Sequence, residues 1–436
     1  MKNHLHFFQL PRKYSINPSV KYARGSTNDP CDRSNLNRRI DQPTAYSLQP
    51  IASIWPLGRI VILLLLLCTS ALKAQNTEFR GAWVPTVLNL CFPSHSGLSS
   101  QQQQREIIAL LESAHSARLN ALLVQVRPEG DTFYCSSKEP WSRYLTGKQG
   151  CSPGFDPLKY FIDEGHRRGI AIHAWFNPYR VAMNSAEARC IQHISHRSPN
   201  SVRRVGKMLW LDPGDPAVQD YVLNVVHEVI QHYAIDGVHI DDYFYPYPEL
   251  LKGKGFPDTV TYQHYRHAGG TLPLADWRRA SVNSLVRRLS IMVHQEKPGL
   301  LFGVSPFGIY TKGQPADVKA GLDQLHELYA DPLLWMQKGW VDYMAPQLYW
   351  RDAGPQSFTA LLRWWRNPNV NPRGIPIYPG IALENLSEHH WPAQEIAQQL
   401  RVERTVQPRG HGGFILWNIK QLAQNQKGVA AIVRQN

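Results

Sequence analysis

Asp241 and Asp242 stand side by side in Asp236-Gly237-Val238-His239-Ile240-Asp241-Asp242-Tyr243-Phe244-Tyr245, at the end of a short apolar run. Extended backbone alternates its side chains, so His239 and Asp241 share one face and Val238 and Ile240 the other. The apolar face suits a packed layer. A carboxylate on the opposite face is expensive unless it is paired or used. Most glycosidic cleavages need two carboxyl groups: one protonates the leaving oxygen, the other attacks or positions water. Asp241 and Asp242 are neighbours on opposite faces and poorly placed to flank one bond, so a partner from another strand is expected. Glu129, in Gln125-Val126-Arg127-Pro128-Glu129-Gly130-Asp131, is the first choice, and Glu384 is a further one. Asp242 stays in the catalytic set, as a proton donor or a residue that shapes the loop.

Other polar and aromatic residues gather just past apolar runs. Arg127, Asn177, Arg180 and Gln347 carry the donors that sugar hydroxyls and carboxylates accept. Tyr243, Tyr245, Tyr349, Trp350 and Trp417 offer flat rings that stack on the apolar faces of pyranoses. His173 and His239 are polar residues inside apolar strands and complete the expected substrate-binding set. The cysteines have no zinc-like spacing, and no Gly-rich phosphate loop or Ser nucleophile elbow occurs, so neither a metal nor a cofactor is expected.

Eight apolar runs must position these residues: Phe79–Val84, Ala121–Val126, Ile170–Trp175, Gly237–Asp241, Leu301–Ser305, Val341–Pro346, Pro376–Ile381 and Gly413–Trp417. Helix-like segments separate them and another follows the last. Asp215-Pro216 opens one such helix, with Val218, Val222, Val225 and Val229 in one stripe; Pro157 opens another, and a third begins around Pro392. Strands joined through helices run parallel, and eight such units predict a single (β/α)8 TIM barrel over 75–436. Long loops are expected after the third strand (177–214) and the fourth (243–275), on the rim where such barrels hold their active sites. Cys135 and Cys151 flank one loop and are the expected disulfide.

The 436 residues are 43% hydrophobic, with 13 Trp and 19 Tyr, enough for a large core. A net charge of +13 carries no basic run with interleaved aromatics, which excludes a nucleic-acid partner from the expectations. Ile60–Leu67 form an apolar stretch after Arg59 and before Ala71-Leu72-Lys73-Ala74. This predicts a signal peptide over 56–74, cleaved after Ala74, too short in its apolar part for a membrane span. Cys68 opens a second reading, a lipidated anchor that makes the protein membrane-associated, although Leu67 stands where a lipidation motif takes a small residue. Residues 1–55, polar, basic and without periodicity, read as a non-structural, over-extended start. The expected product is an exported monomer, periplasmic, anchored to the outer membrane or secreted.

Phe79-Arg80-Gly81-Ala82-Trp83, His173-Ala174-Trp175-Phe176-Asn177-Pro178-Tyr179-Arg180, the Asp236–Tyr245 motif and Gly303-Val304-Ser305-Pro306 resemble the bacterial glycosyl-hydrolase-like family related to family 10, over about 79–420. Within it the resemblance is to the divisome-localised envelope lipoprotein that cleaves peptidoglycan glycan strands stripped of their stem peptides. It implies a hydrolase of that polysaccharide, acting in the cell envelope during cell division. That relative carries Asp where this chain has Glu129. The Gly237 to Asp241 spacing is also similar to the nucleophile strand of the α-amylase clan, but Gly303-Val304-Ser305-Pro306 offers no strand-five acid. Family-18 chitinases share the strand pattern, with His239 and Tyr243 here replacing two of their acids. Asp241 is then nucleophile, or orients a substrate acetamido group, with Glu129 or Asp242 as proton donor. An amylase-type glucan hydrolase and a non-catalytic glycan-binding envelope protein stand as alternatives.

Overall fold

The computed structural model of the chain describes residues 78–406 and 412–436. The expected signal peptide, Cys68 and the stretch 1–55 lie outside them. The described strands are β1 (Phe79–Val84), β2 (Ala121–Arg127), β3 (Ala171–Phe176), β4 (Arg180–Ala182), β5 (Val202–Val205), β6 (Met208–Leu211), β7 (Gly237–Ile240), β8 (Leu301–Val304), β9 (Tyr343–Met344), β10 (Gly380–Ala382) and β11 (Gly413–Trp417). Eight of them form one curled parallel sheet in the order β10-β11-β1-β2-β3-β7-β8-β9. Its two edges meet through parallel bridges at Met344–Ile377 and Gln347–Gly380. The Tyr378 and Gly380 amides donate across this seam to Met344 O and Pro346 O, each at 2.8 Å. The sixth and seventh strands are shorter than the sequence suggested. Pro346, Pro376 and Pro379 have no N–H to give and cut the ladder to isolated bridges there.

Helices link the parallel strands in the anticipated alternation, and their starts have local causes. Asp215 accepts from the Ala217 amide at 2.9 Å ahead of the helix Pro216–His232. Asp156 accepts from the Lys159 amide at 3.0 Å ahead of Pro157–His166. Proline at the first position of each helix sacrifices an N–H that had no partner to find. The stripe Val218, Val222, Val225 and Val229 is buried against the sheet.

Alternation along each strand divides the apolar residues into two layers. Leu122, Val124, Val238 and Ile240 point outward into the core between sheet and helices. Trp83, Leu123, Trp175, Tyr343, Ile415 and Trp417 point inward and fill the curl of the sheet. Large rings fit there because glycine faces them: a Cβ at Gly237 would overlap the His173 ring, and one at Gly303 the Tyr343 ring.

The segment after β3 is not a bare loop. β4, β6 and β5 fold into an antiparallel sheet, with Arg180 opposite Trp210. The segment after β7 carries the helices Pro248–Leu251 and Thr259–His267. The expected Cys135–Cys151 bridge does not form, because Cys151 is a free thiol, as are Cys91 and Cys190.

Candidate active site

β7 delivers His239 inward and Asp241 one step higher, at the strand's C-terminal end. His239 Nε2 accepts from Trp83 Nε1–H at 3.2 Å. An indole nitrogen only donates, so this ring's proton sits on Nδ1, 3.0 Å from the Tyr343 hydroxyl. That hydroxyl is left to donate to His173 Nδ1, also at 3.0 Å. Burial pushes His173 down to about 4 and His239 further below its ordinary value, so both rings are neutral. They form a satisfied polar column beneath the site, and neither lines the cleft. The expectation that they contact substrate is corrected accordingly.

Above this floor the two carboxyl groups open into one cleft. Asp241 is 3% and Asp242 2% exposed. Asp241 Oδ2 accepts from Trp175 Nε1 at 3.0 Å and Asn177 Nδ2 at 3.1 Å, and Oδ1 from the Tyr243 amide at 3.3 Å. Asp242 Oδ1 accepts from Gln347 Nε2 at 2.9 Å, and its Oδ2 from the Tyr247 hydroxyl. These donors favour ionised carboxyls, but burial outweighs them. Asp241 is raised to about 7, with Asp242 adding to the rise and Arg180 opposing it. Burial likewise raises Asp242. Strand alternation suggested that the two acids face apart. The chain leaves β7 at Ile240, so the alternation no longer applies and both line the same space.

Trp83, Trp175, Tyr243, Tyr247, Tyr349 and Trp417 supply aromatic walls, with Leu88, Leu90, Met183 and Leu250 completing an apolar rim. Gln125, Arg180, Ser305 and Gln347 are polar groups in the same lining. Asn177 lies just behind, holding Asp241 with Nδ2 and accepting the Arg180 amide on Oδ1 at 2.8 Å. Of the anticipated residues, Asp241, Asp242, Arg180, Tyr243, Gln347, Tyr349 and Trp417 are thus brought together.

Others are not. Arg127 is buried beneath the rim, bound to both oxygens of Glu139 at 2.6 to 2.8 Å and to Asn177 O at 2.7 Å. Fully buried and absent from the cleft lining, it is out of a sugar's reach. Glu129 meets Arg143 at 3.2 Å and accepts the Met183 amide, so it buttresses the cleft wall from behind rather than facing Asp241. Tyr245 packs into the core under Arg278, 5.5 Å above its ring, and against Phe256. Trp350 lies edge-on to Phe307 at 5.6 Å, outside the cleft. Glu384 is not part of the cleft lining; burial, and then Glu388, raise it to about 8 while Trp417 opposes the rise.

Three wall residues had gone unread: Trp83, Trp175 and Tyr247. Trp175 was findable, because period two places it on the same face as His173. Trp83 shares that logic on β1. Tyr247 lies in a turn whose direction no local pattern reveals.

A family model described as Glycosyl hydrolase-like 10 matches residues 78–395. Glycosyl hydrolase YngK from Bacillus subtilis (strain 168) is 37% identical over 366 residues, covering 81% of this chain and 71% of that protein. Glycosyl hydrolase DigH from Escherichia coli (strain K12) is 35% identical over 339 residues, covering 72% and 75% respectively. The glycoside hydrolase domain of PgaB (BpsB) from Bordetella bronchiseptica superposes with a TM-score of 0.50 at 13% identity, over 82% of this chain and 98% of that one. Alpha-L-fucosidase isoenzyme 2 from Paenibacillus thiaminolyticus gives 0.54 at 12% identity, over 82% and 48%. At such identities the likeness to the solved structures is one of fold.

Proposed function

Since the chain belongs to the glycosyl hydrolase-like 10 family, we propose that it is a (β/α)8-barrel glycoside hydrolase that cuts the glycan strands of peptidoglycan, stripped of stem peptides, in the cell envelope. The observation that carries this reading is the pair Asp241 and Asp242, buried together in one aromatic-walled cleft. The family and the names of the relatives support the hydrolase chemistry. The resemblance of the Asp236–Tyr245 motif, together with the expected export signal, supports the substrate and its location in the periplasm or at the outer membrane.

Adjacent carboxyl groups suit a sugar that brings its own nucleophile. A 2-acetamido group can attack C1 through its carbonyl oxygen, as substrate-assisted glycosidases require. The protein then supplies two things: a carboxylate to hold the amide N–H, and an acid to protonate the leaving oxygen. Asp241, fixed by three donors on its two oxygens, takes the first task. Asp242 takes the second, its proton favoured by burial. Tyr349 and Trp417 give the sugar rings stacking surfaces. Glu129 drops out of the donor role because it does not reach the cleft.

The test incubates the protein with amidase-stripped peptidoglycan, peptide-bearing peptidoglycan, chitin oligomers and starch oligomers, and measures released sugars by mass spectrometry. Release from the stripped strands, abolished in Asp241→Asn with binding kept, is the expected result. Turnover confined to starch would replace this reading with an amylase-type one. Binding without turnover on every glycan would make the protein a non-catalytic binder.

A further inference from the structure

Among the described residues the buried arginines are paired, with one exception. Arg80 meets Glu78 at 3.0 Å, Arg127 meets Glu139 at 2.6 Å and Arg278 meets Asp258 at 2.6 Å. Arg180 is 3% exposed and forms no ion pair with any described residue. Its Nε donates to Pro128 O at 3.0 Å. Its guanidinium lies 5.2 Å over the Tyr243 ring, and the side chain lines the cleft beside Asp241 and Asp242. Its two terminal nitrogens meet no acceptor among the described residues.

Leaving a guanidinium buried and unpaired costs free energy that a fold normally avoids. Asp241, Asp242 and Glu129 offset part of its charge through space, but none of them forms an ion pair with it. Both oxygens of Asp241 and of Asp242 are already held by neutral donors: Trp175, Asn177, the Tyr243 amide, Tyr247 and Gln347. A planar fork with two free nitrogens matches a carboxylate in two parallel hydrogen bonds.

We infer that Arg180 is a subsite for a carboxylate borne by the substrate sugar, and so a determinant of specificity. This rests on the reading of a peptidoglycan strand as substrate. In that polymer the lactyl group of a stripped strand ends in a free carboxylate. With the stem peptide attached, the same carbon is a neutral amide followed by a bulky chain. The subsite therefore selects stripped strands, and a carboxylate elsewhere on another sugar, as in a uronic acid, would satisfy the same fork.

The experiment compares stripped strands with the same strands after carbodiimide activation and borohydride reduction, which turns each carboxylate into a neutral alcohol. Affinities are measured by calorimetry in the Asp241→Asn background, so that binding is read apart from turnover. A charged hydrogen-bonded pair predicts roughly 10- to 100-fold tighter binding of the carboxylate form. Arg180→Gln should erase that difference, and Arg180→Lys should restore part of it. Equal binding of both forms to the protein with Arg180 intact overturns the proposal and needs no Arg180 variant to fold. A preference that survives Arg180→Gln also overturns it. If binding discriminates but no glycan is cleaved, the subsite stands and the hydrolase reading falls. A uronic-acid polymer bound as tightly as the stripped strand, and equally dependent on Arg180, supports the carboxylate subsite and moves its source away from the lactyl group.

Discussion

Replacing Trp175 by Phe removes one hydrogen bond from Asp241 while leaving a flat ring in the cleft. The indole Nε1 lies 3.0 Å from Oδ2, which it shares with Asn177. A hydrogen bond to an ionised group contributes about 1.5–3 kcal/mol, and a shift of one pH unit corresponds to about 1.36 kcal/mol. The donor favours the charged form, so its loss favours the protonated one. Burial has already raised Asp241 to about 7, and the substitution raises it further in the same direction, by about 1–2 units. Asp241 has to be ionised to hold an amide N–H, so activity is lost as pH falls through its pKa. The acid limb of kcat/KM on a soluble chitin or stripped-strand oligomer should therefore stand near pH 7 in the native protein and move to about 8–9 in Trp175→Phe. Well above that limb the two proteins should approach each other. A limb that stays in place, or a loss that is uniform across pH, would refute the assignment of Asp241 as the ionised partner.

Asp242→Asn should lower kcat at least about 100-fold if Asp242 is the proton donor. Glu129→Gln, behind the wall, should stay within a few-fold, and the reverse pattern in steady-state kinetics would restore Glu129 as the acid. Asp241 has a folded pKa above its ordinary 3.8, so stability is fully present below about pH 4 and is lost as pH rises to about 7. Asp241→Asn should therefore be more stable than the native protein at pH 8, by up to about 4 kcal/mol in denaturant titration, and close to it at pH 4. Arg127→Ala leaves Glu139 buried without its cation and should cost about 3–5 kcal/mol in the same measurement. A loss under about 1 kcal/mol would show that the pair is dispensable.

Strand order and the position of Asp241 were legible because they rest on local periodicity. Val238 and Ile240 had to face a packed layer, and that put Asp241 at the cleft. The parallel architecture followed from the helix starts at Asp215-Pro216 and Pro157. What escaped depends on contacts between residues far apart in sequence. Arg127 has the composition of a sugar binder until Glu139, twelve residues on and in a loop, turns back to bind it. Tyr243, Tyr245 and Tyr247 look equivalent in the chain, yet the middle one is drawn into the core by Arg278 from a distant helix. Tyr349 and Trp350 leave β9 into a bend, so no period tells which ring enters the cleft. The antiparallel sheet was hidden because β5, Val202-Arg203-Arg204-Val205, is short, charged and half-buried, without the apolar alternation that betrays a strand.

The little sheet β4-β6-β5 has one more bearing. Asp241 and Asp242 ride at the end of a barrel strand, whereas Arg180 begins β4, a piece inserted into the crossover from β3 to β7. In the roles proposed above, the group that cuts and the group that chooses belong to separately built parts. An insert of this kind can be lengthened, reshaped or exchanged while the parallel strands keep their register. On those roles, a change confined to the insert would alter which glycan is held while Asp241 and Asp242 keep their place at the end of β7.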